Sequence, residues 1–112
     1  TEALEADDRE GVVEEYLAKL LPDSWDSMTL DDRLLFLDDY DIAGNRVEGT
    51  RPRETVTNLE IWCECFREPM KRIQPKDSYA IAGILKRLGW ERSCDRQYVP
   101  LYGRQRLYRR QM

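Results

Sequence analysis

Apolar residues recur at helical spacing along this chain as far as Leu88, and from Trp90 onward they alternate. A period near 3.6 lines one side of a helix and a period of 2 lines one face of a strand, so neither pattern suits the other element. The chain is therefore confined to a mainly α body that closes on a small β-hairpin, an α+β class. The first helical pattern runs over 7–21, with Val12, Val13, Tyr16, Leu17, Leu20 and Leu21 on its apolar side, and Pro22 ends it. Trp25 follows in a turn and is expected to pack inward. Thr29 caps a second helix carrying Leu30, Leu34, Phe36 and Leu37, with Asp31 and Asp32 in the first turn, where the helix dipole favours negative charge. This helix is expected to end before Gly44-Asn45.

A third helix starts at the capping box Thr57-x-x-Glu60, with Val56 before the cap and Leu59, Trp62, Cys63 and Phe66 along one face. Pro69 and Pro75 bracket a short irregular piece. Asp77 or Ser78 caps a fourth helix, whose core stripe is Ile81, Ile84, Leu85 and Leu88 and which Gly89 stops. Two strands are expected over 90–94 and 104–110. Turns fall at 95–97 and 102–103, and Pro100 lies in a loop or on an edge. This order, a helix, a short connector, a capped helix and a hairpin, is that of a helix-turn-helix followed by a wing, in which the second helix reads the major groove.

Charge divides the chain at the same place as the pattern of glycine and proline. Residues 1–49 hold 15 acidic and 4 basic side chains, a net −11, whereas residues 50–112 hold 7 acidic and 14 basic, a net +7. Residues 43–53 have two glycines and a proline without an apolar period and read as a linker. We place the boundary there, with 1–49 as an acidic helical extension and 50–112 as a winged-helix-like domain. A basic region beside an acidic one points to a polyanionic partner. The alternative is that the halves neutralise each other within one compact fold.

The basic side chains expected to contact nucleic acid are Lys76, Lys86 and Arg87 on the fourth helix, beside Tyr79, and Arg92, Arg96, Arg104, Arg106 and Arg109 on the hairpin. Arginine suits phosphate because its planar fork presents fixed donors. Tyr98, Tyr102 and Tyr108 are interleaved with them, to stack on bases or to cover the sheet. Gly83 costs about 1 kcal/mol against alanine within a helix, and a close backbone approach by DNA or by a neighbouring helix accounts for it equally.

Catalytic constellations are missing from the sequence. There is no histidine to serve as a base for a serine or cysteine nucleophile and no Gly-x-x-x-x-Gly-Lys loop for nucleotide phosphates. Cys63, Cys65 and Cys94 are too few for structural zinc and too irregular for a disulfide framework, so they read as small hydrophobes in a reducing, cytoplasmic setting. Asp38, Asp39 and Asp41 raise the thought of a metal nuclease, but a hard cation needs six or more oxygens. Their place near a helix C-terminus calls for neutralisation by Arg33, Arg51 or Arg53. We expect no cofactor, no metal and no membrane span. Thr1-Glu2-Ala3-Leu4 carries neither an initiator Met nor a leader pattern, and the chain reads as an excised piece of a longer protein.

Three runs carry a family resemblance. Leu21-Pro22-Asp23-Ser24-Trp25-Asp26 with Asp32-Arg33-Leu34-Leu35-Phe36-Leu37 is one. Thr55-Val56-Thr57-Asn58-Leu59-Glu60-Ile61-Trp62-Cys63-Glu64-Cys65-Phe66 is the second. Ile81-Ala82-Gly83-Ile84-Leu85-Lys86-Arg87-Leu88-Gly89-Trp90 with Tyr102-Gly103-Arg104-Gln105-Arg106 is the third. Together they resemble the C-terminal region of virulence-associated protein E family members, which are primase/helicase-like proteins of phages and mobile elements. The resemblance implies a non-catalytic DNA-binding module that positions template, attached to a P-loop ATPase elsewhere in its parent. A winged helix that docks on the ATPase or on a replication partner is the alternative, since fold does not fix function.

Overall fold

The computed structural model describes residues 2–38 and 48–110, except the side chains of 2–8 and of Asp95. Helix α1 spans Glu2–Ala18, and a 3-10 turn at Trp25–Ser27 leads to α2, Leu30–Leu37. Strand β1 is Thr55–Val56, and α3 is Asn58–Glu60 continued by a π-helical turn at Ile61–Cys65. After a 3-10 turn at Met70–Arg72 come α4, Pro75–Arg87, then β2, Trp90–Val99, and β3, Gly103–Arg110. Among the described residues no helix is long and apolar enough to cross a membrane.

Local chemistry explains most of these bounds. The Thr29 hydroxyl accepts from the Asp32 amide and starts α2. At Thr57 both halves of the capping box form. Helix α4 begins earlier than Asp77 or Ser78: Gln74 caps it, Pro75 takes the first helical position and Asp77 returns a bond to the Gln74 amide. Proline is favoured there because its missing N–H would have no partner anyway. Gly89, at φ +89, lets the chain turn out of α4. Helix α1 stops at Ala18, short of the expected 21, and Val12 and Leu20 are exposed although helical spacing put them on the apolar side.

The sheet has the order β1-β3-β2 and is antiparallel throughout. Helix, short strand, two helices and a hairpin whose second strand lies central make a winged-helix-like arrangement, as the apolar pattern predicts. Three details differ from the sequence reading. Strand β1 supplies a third strand where only a residue before a cap was foreseen. Residues 95–97, expected to turn, lie within β2, where a bulge between Arg92 and Arg96 absorbs the irregularity. The end of the presumed linker is also held: Leu21 donates to the Arg51 carbonyl at 2.7 Å, and a Cβ at Gly49 would sit 2.1 Å from the Leu20 carbonyl oxygen. The predicted end of α2 before Gly44 falls outside the described residues.

One apolar cluster gathers Val13, Tyr16 and Leu17 from α1 with Val56, Ile61, Ile81, Ile84, Leu85, Trp90 and Leu107. It thus draws residues from both sides of the 1–49/50–112 division. A buried aliphatic side chain contributes about 1.5–3 kcal/mol, and Ile81, Ile84 and Leu85 are the α4 residues that supply it. A second cluster packs Trp25 edge-on against Phe36, with Leu21 and Met28.

Between the clusters lies a buried ionic network. Glu64, 1% exposed, accepts from the Tyr16 hydroxyl at 2.6 Å, the Tyr102 hydroxyl at 2.6 Å and Arg33 Nη1 at 2.8 Å. Arg33 is also 1% exposed, and its Nε and Nη2 donate to the Trp25 carbonyl while its guanidinium lies over the Trp25 ring. Arg53 stands 3.5 Å from Glu60 and over the ring of Tyr16. Two arginines and two glutamates balance in charge. Burial pushes the Glu60 carboxyl upward, against the pull of Arg53, and Glu64 adds to the rise. Burial also raises the Tyr16 and Tyr102 hydroxyls, keeping both as donors.

Removing one partner of such a pair strands a buried charge, so Glu64→Ala is expected to lower the unfolding free energy by about 3–5 kcal/mol in urea titration. Asp38→Asn, which breaks a half-exposed pair with Arg67, costs at most about 1 kcal/mol. A Glu64→Ala effect no larger than that of Asp38→Asn would refute the network's role. Glu60 and Asp38 titrate in opposite senses. Glu60 has a raised native pKa, so its contribution to stability is complete below the unfolded value and is lost as pH rises through the native one. Asp38, held down chiefly by its hydrogen bond from Arg67, contributes above its unfolded value and loses that as pH falls through the native one. Side-chain carboxyl NMR titration is expected to give midpoints displaced in these two directions.

Candidate nucleic-acid interface

Helix α4 turns Ile81, Ile84 and Leu85 inward, so the residues at the complementary angles face solvent. Lys76, Lys86 and Tyr79 do so, the last at 78% exposed. Ala82 is partly buried and packs on the core. One expectation for this face is corrected. Arg87 is exposed but engaged, its Nε donating to Glu10 of α1 at 2.6 Å. A Cβ at Gly83 would meet only the Arg87 side chain, at 3.5 Å, so packing within the chain does not call for glycine there. Lys76 and Lys86 stand ten residues apart, about 15 Å along a helix.

The hairpin concentrates charge more strongly. Residues directly opposite in an antiparallel pair share a face. Arg92 lies opposite Tyr108, Arg96 opposite Arg106, and Tyr98 opposite Arg104, which places these six side chains on one face in three successive rungs. Arg109, opposite Glu91 and Thr55, belongs to the other face and leaves the group. Arg92, Arg96 and Arg106, with Asn58, Gln105 and Tyr108, line a recess of about 180 Å³ where the hairpin overhangs the start of α3. Within it Arg106 Nε and Asn58 Oδ1 are buried without a hydrogen-bond partner. No carboxylate among the described residues pairs with Arg92, Arg96, Arg104 or Arg106.

Two of the three hairpin tyrosines are packed against the protein. Tyr108 is buried in the core, and Tyr102 anchors the β2–β3 turn on Glu64. The hairpin therefore does not stand free as a wing usually does; its tip is pinned to the helical body. Tyr98 is the exception, at 76% exposed.

Among the described residues, surface ion pairs join the two halves. Arg67 makes a bidentate pair with Asp38, Arg51 approaches Asp23, and Arg87 meets Glu10. Asp38 is thus neutralised by Arg67, and not by Arg33, Arg51 or Arg53 as its sequence neighbourhood suggested. Asp39 and Asp41 lie outside the described residues, among which no cluster of carboxylates, cysteines or histidines fit for a metal occurs. Arg110 is consumed too, donating to the carbonyls of Arg53 and Leu17 and lying over Trp90. The chain matches no protein-family model and no curated protein.

Cys94 is exposed in the bulge between Arg92 and Arg96, whereas burial pushes the thiols of Cys63 and Cys65 up to about 11. A thiol–disulfide reagent at neutral pH is expected to modify Cys94 quickly and the other two far more slowly, because the thiolate is the reactive form. Three equal rates in the native protein would contradict the packing around the π turn.

Proposed function

We propose that this chain is a non-catalytic DNA-binding accessory module that positions template for an ATPase elsewhere in its parent protein, in the manner the virulence-associated protein E resemblance implies. The carrying observation is the Arg92/Arg96/Arg104/Arg106 face. Like charges directly opposite across strands are destabilising, and Arg96 and Arg106 are so placed, with no carboxylate partner among the described side chains. A polyanion supplies the missing countercharge: guanidinium groups grip phosphate oxygens and release the counterions condensed on DNA. In this reading the hairpin carries most of the contact, with Lys76, Tyr79 and Lys86 of α4 as secondary points. A cytoplasmic setting fits the three free thiols. ATP hydrolysis belongs to the parent, and this chain contributes grip and orientation.

Four phosphate contacts give a slope of log K against log salt of about −3 to −4. Fluorescence anisotropy over a salt series is expected to show that slope for the native chain. Replacing Arg96 and Arg106 together by glutamate is expected to weaken binding and flatten the slope by about 2. Undiminished affinity in that variant would discard the assigned face. No binding at low salt would instead favour a module that docks on an acidic protein partner.

A further inference from the structure

Resting on the DNA-binding reading, we infer that the hairpin face takes single-stranded rather than duplex nucleic acid, with Tyr98 as a stacking platform for a base and the Arg92/Arg96/Arg106 recess as the seat of a neighbouring phosphate.

The first ground is the fate of the aromatics. Tyr102 and Tyr108 are buried, but Tyr98 holds its ring in solvent, on the same face as Arg104 opposite it and Arg96 two residues before. An aromatic face between guanidinium groups suits an unstacked base, which offers its own π-face to any ring of sufficient area. In a duplex those faces are covered by neighbouring pairs, and only base edges and phosphates are on offer.

The second ground is what α4 lacks. Reading a duplex asks for a helix in the major groove with several side chains at base edges. Here Arg87 is held by Glu10, and the cations left exposed on α4, Lys76 and Lys86, sit at its two ends. The hairpin cannot swing into a groove either, because its turn is fastened to Glu64 through Tyr102.

The third ground is the recess itself. It combines three arginines with two unpartnered polar atoms, Arg106 Nε and Asn58 Oδ1. A phosphate answers the guanidinium donors, and a sugar or base N–H or O–H answers the asparagine acceptor.

The test is anisotropy with a short labelled oligothymidine and a duplex of equal length, on the native chain, Tyr98→Ala and Tyr98→Phe. Tyr98 is exposed, so neither change disturbs the core. The expected result is at least about tenfold tighter binding of the single strand, a loss of about tenfold in Tyr98→Ala for that ligand alone, and retention in Tyr98→Phe. The salt slope stays the same in both variants, since no charge is removed. Duplex binding as tight as single-strand binding, or an unchanged Tyr98→Ala affinity, would overturn this inference while leaving the DNA-binding reading standing. Absence of binding by either oligonucleotide at low salt would overturn both.

Discussion

Three hydrogen bonds converge on the Glu64 carboxylate, and each comes from a different part of the molecule: Tyr16 of α1, Arg33 of α2 and Tyr102 of the hairpin turn. A carboxylate so deeply buried is costly unless its lone pairs are satisfied, and these three donors satisfy it. The same residue therefore sets the position of both early helices and of the hairpin tip. Arg33, pinned between Glu64 and the Trp25 carbonyl, links this centre to the second apolar cluster. The arrangement makes the acidic front of the chain part of the body that holds the hairpin, rather than an appendage to it.

That interior use of charge sorts the basic residues into two populations. Arg33, Arg53 and Arg110 serve the fold through carboxylates, carbonyls and aromatic rings, and Arg51, Arg67 and Arg87 tie the two charge halves together at the surface. Of the cations without a carboxylate partner among the described residues, Arg92, Arg96, Arg104 and Arg106 share one hairpin face, while Lys71, Arg72, Lys76 and Lys86 are spread along the 3-10 turn and α4. Net charge alone would have hidden this, because the folded chain is acidic overall. The relevant electrostatics is local, since exposed charges beyond about a Debye length of 8–10 Å are largely screened.

Much of the architecture was legible because its signals are local. The Thr57–Glu60 box, the apolar stripe of α4 and the stop at Gly89 are each written within a few neighbouring residues, and the structure contains all three. The alternation after Trp90 marks the hairpin, and its parity assigns faces once the register is known. Long-range partners were not legible. Nothing near Arg33 or Glu64 announces that they meet across 31 residues, and Asp38 finds Arg67 across 29. Arg109 was grouped with the other hairpin arginines because composition counts charges without seeing which side of a strand they occupy. The two-residue strand β1 is too short for any periodicity. One signal was available and passed over: an arginine inside an otherwise apolar helical stripe, as Arg33 is between Leu30 and Leu37, asks for a buried counterion.

The π turn at Ile61–Cys65 sets the phase of everything beyond it. Widening one turn of the third helix slots in an extra residue relative to an α repeat, and the four side chains from Ile61 to Glu64 are all buried there. An α-helix rotates 100° per residue. Excising a single residue here would restore the tighter winding but swing the carboxylate out of reach of its three donors. Length in this short stretch is thus under as strict a constraint as residue identity.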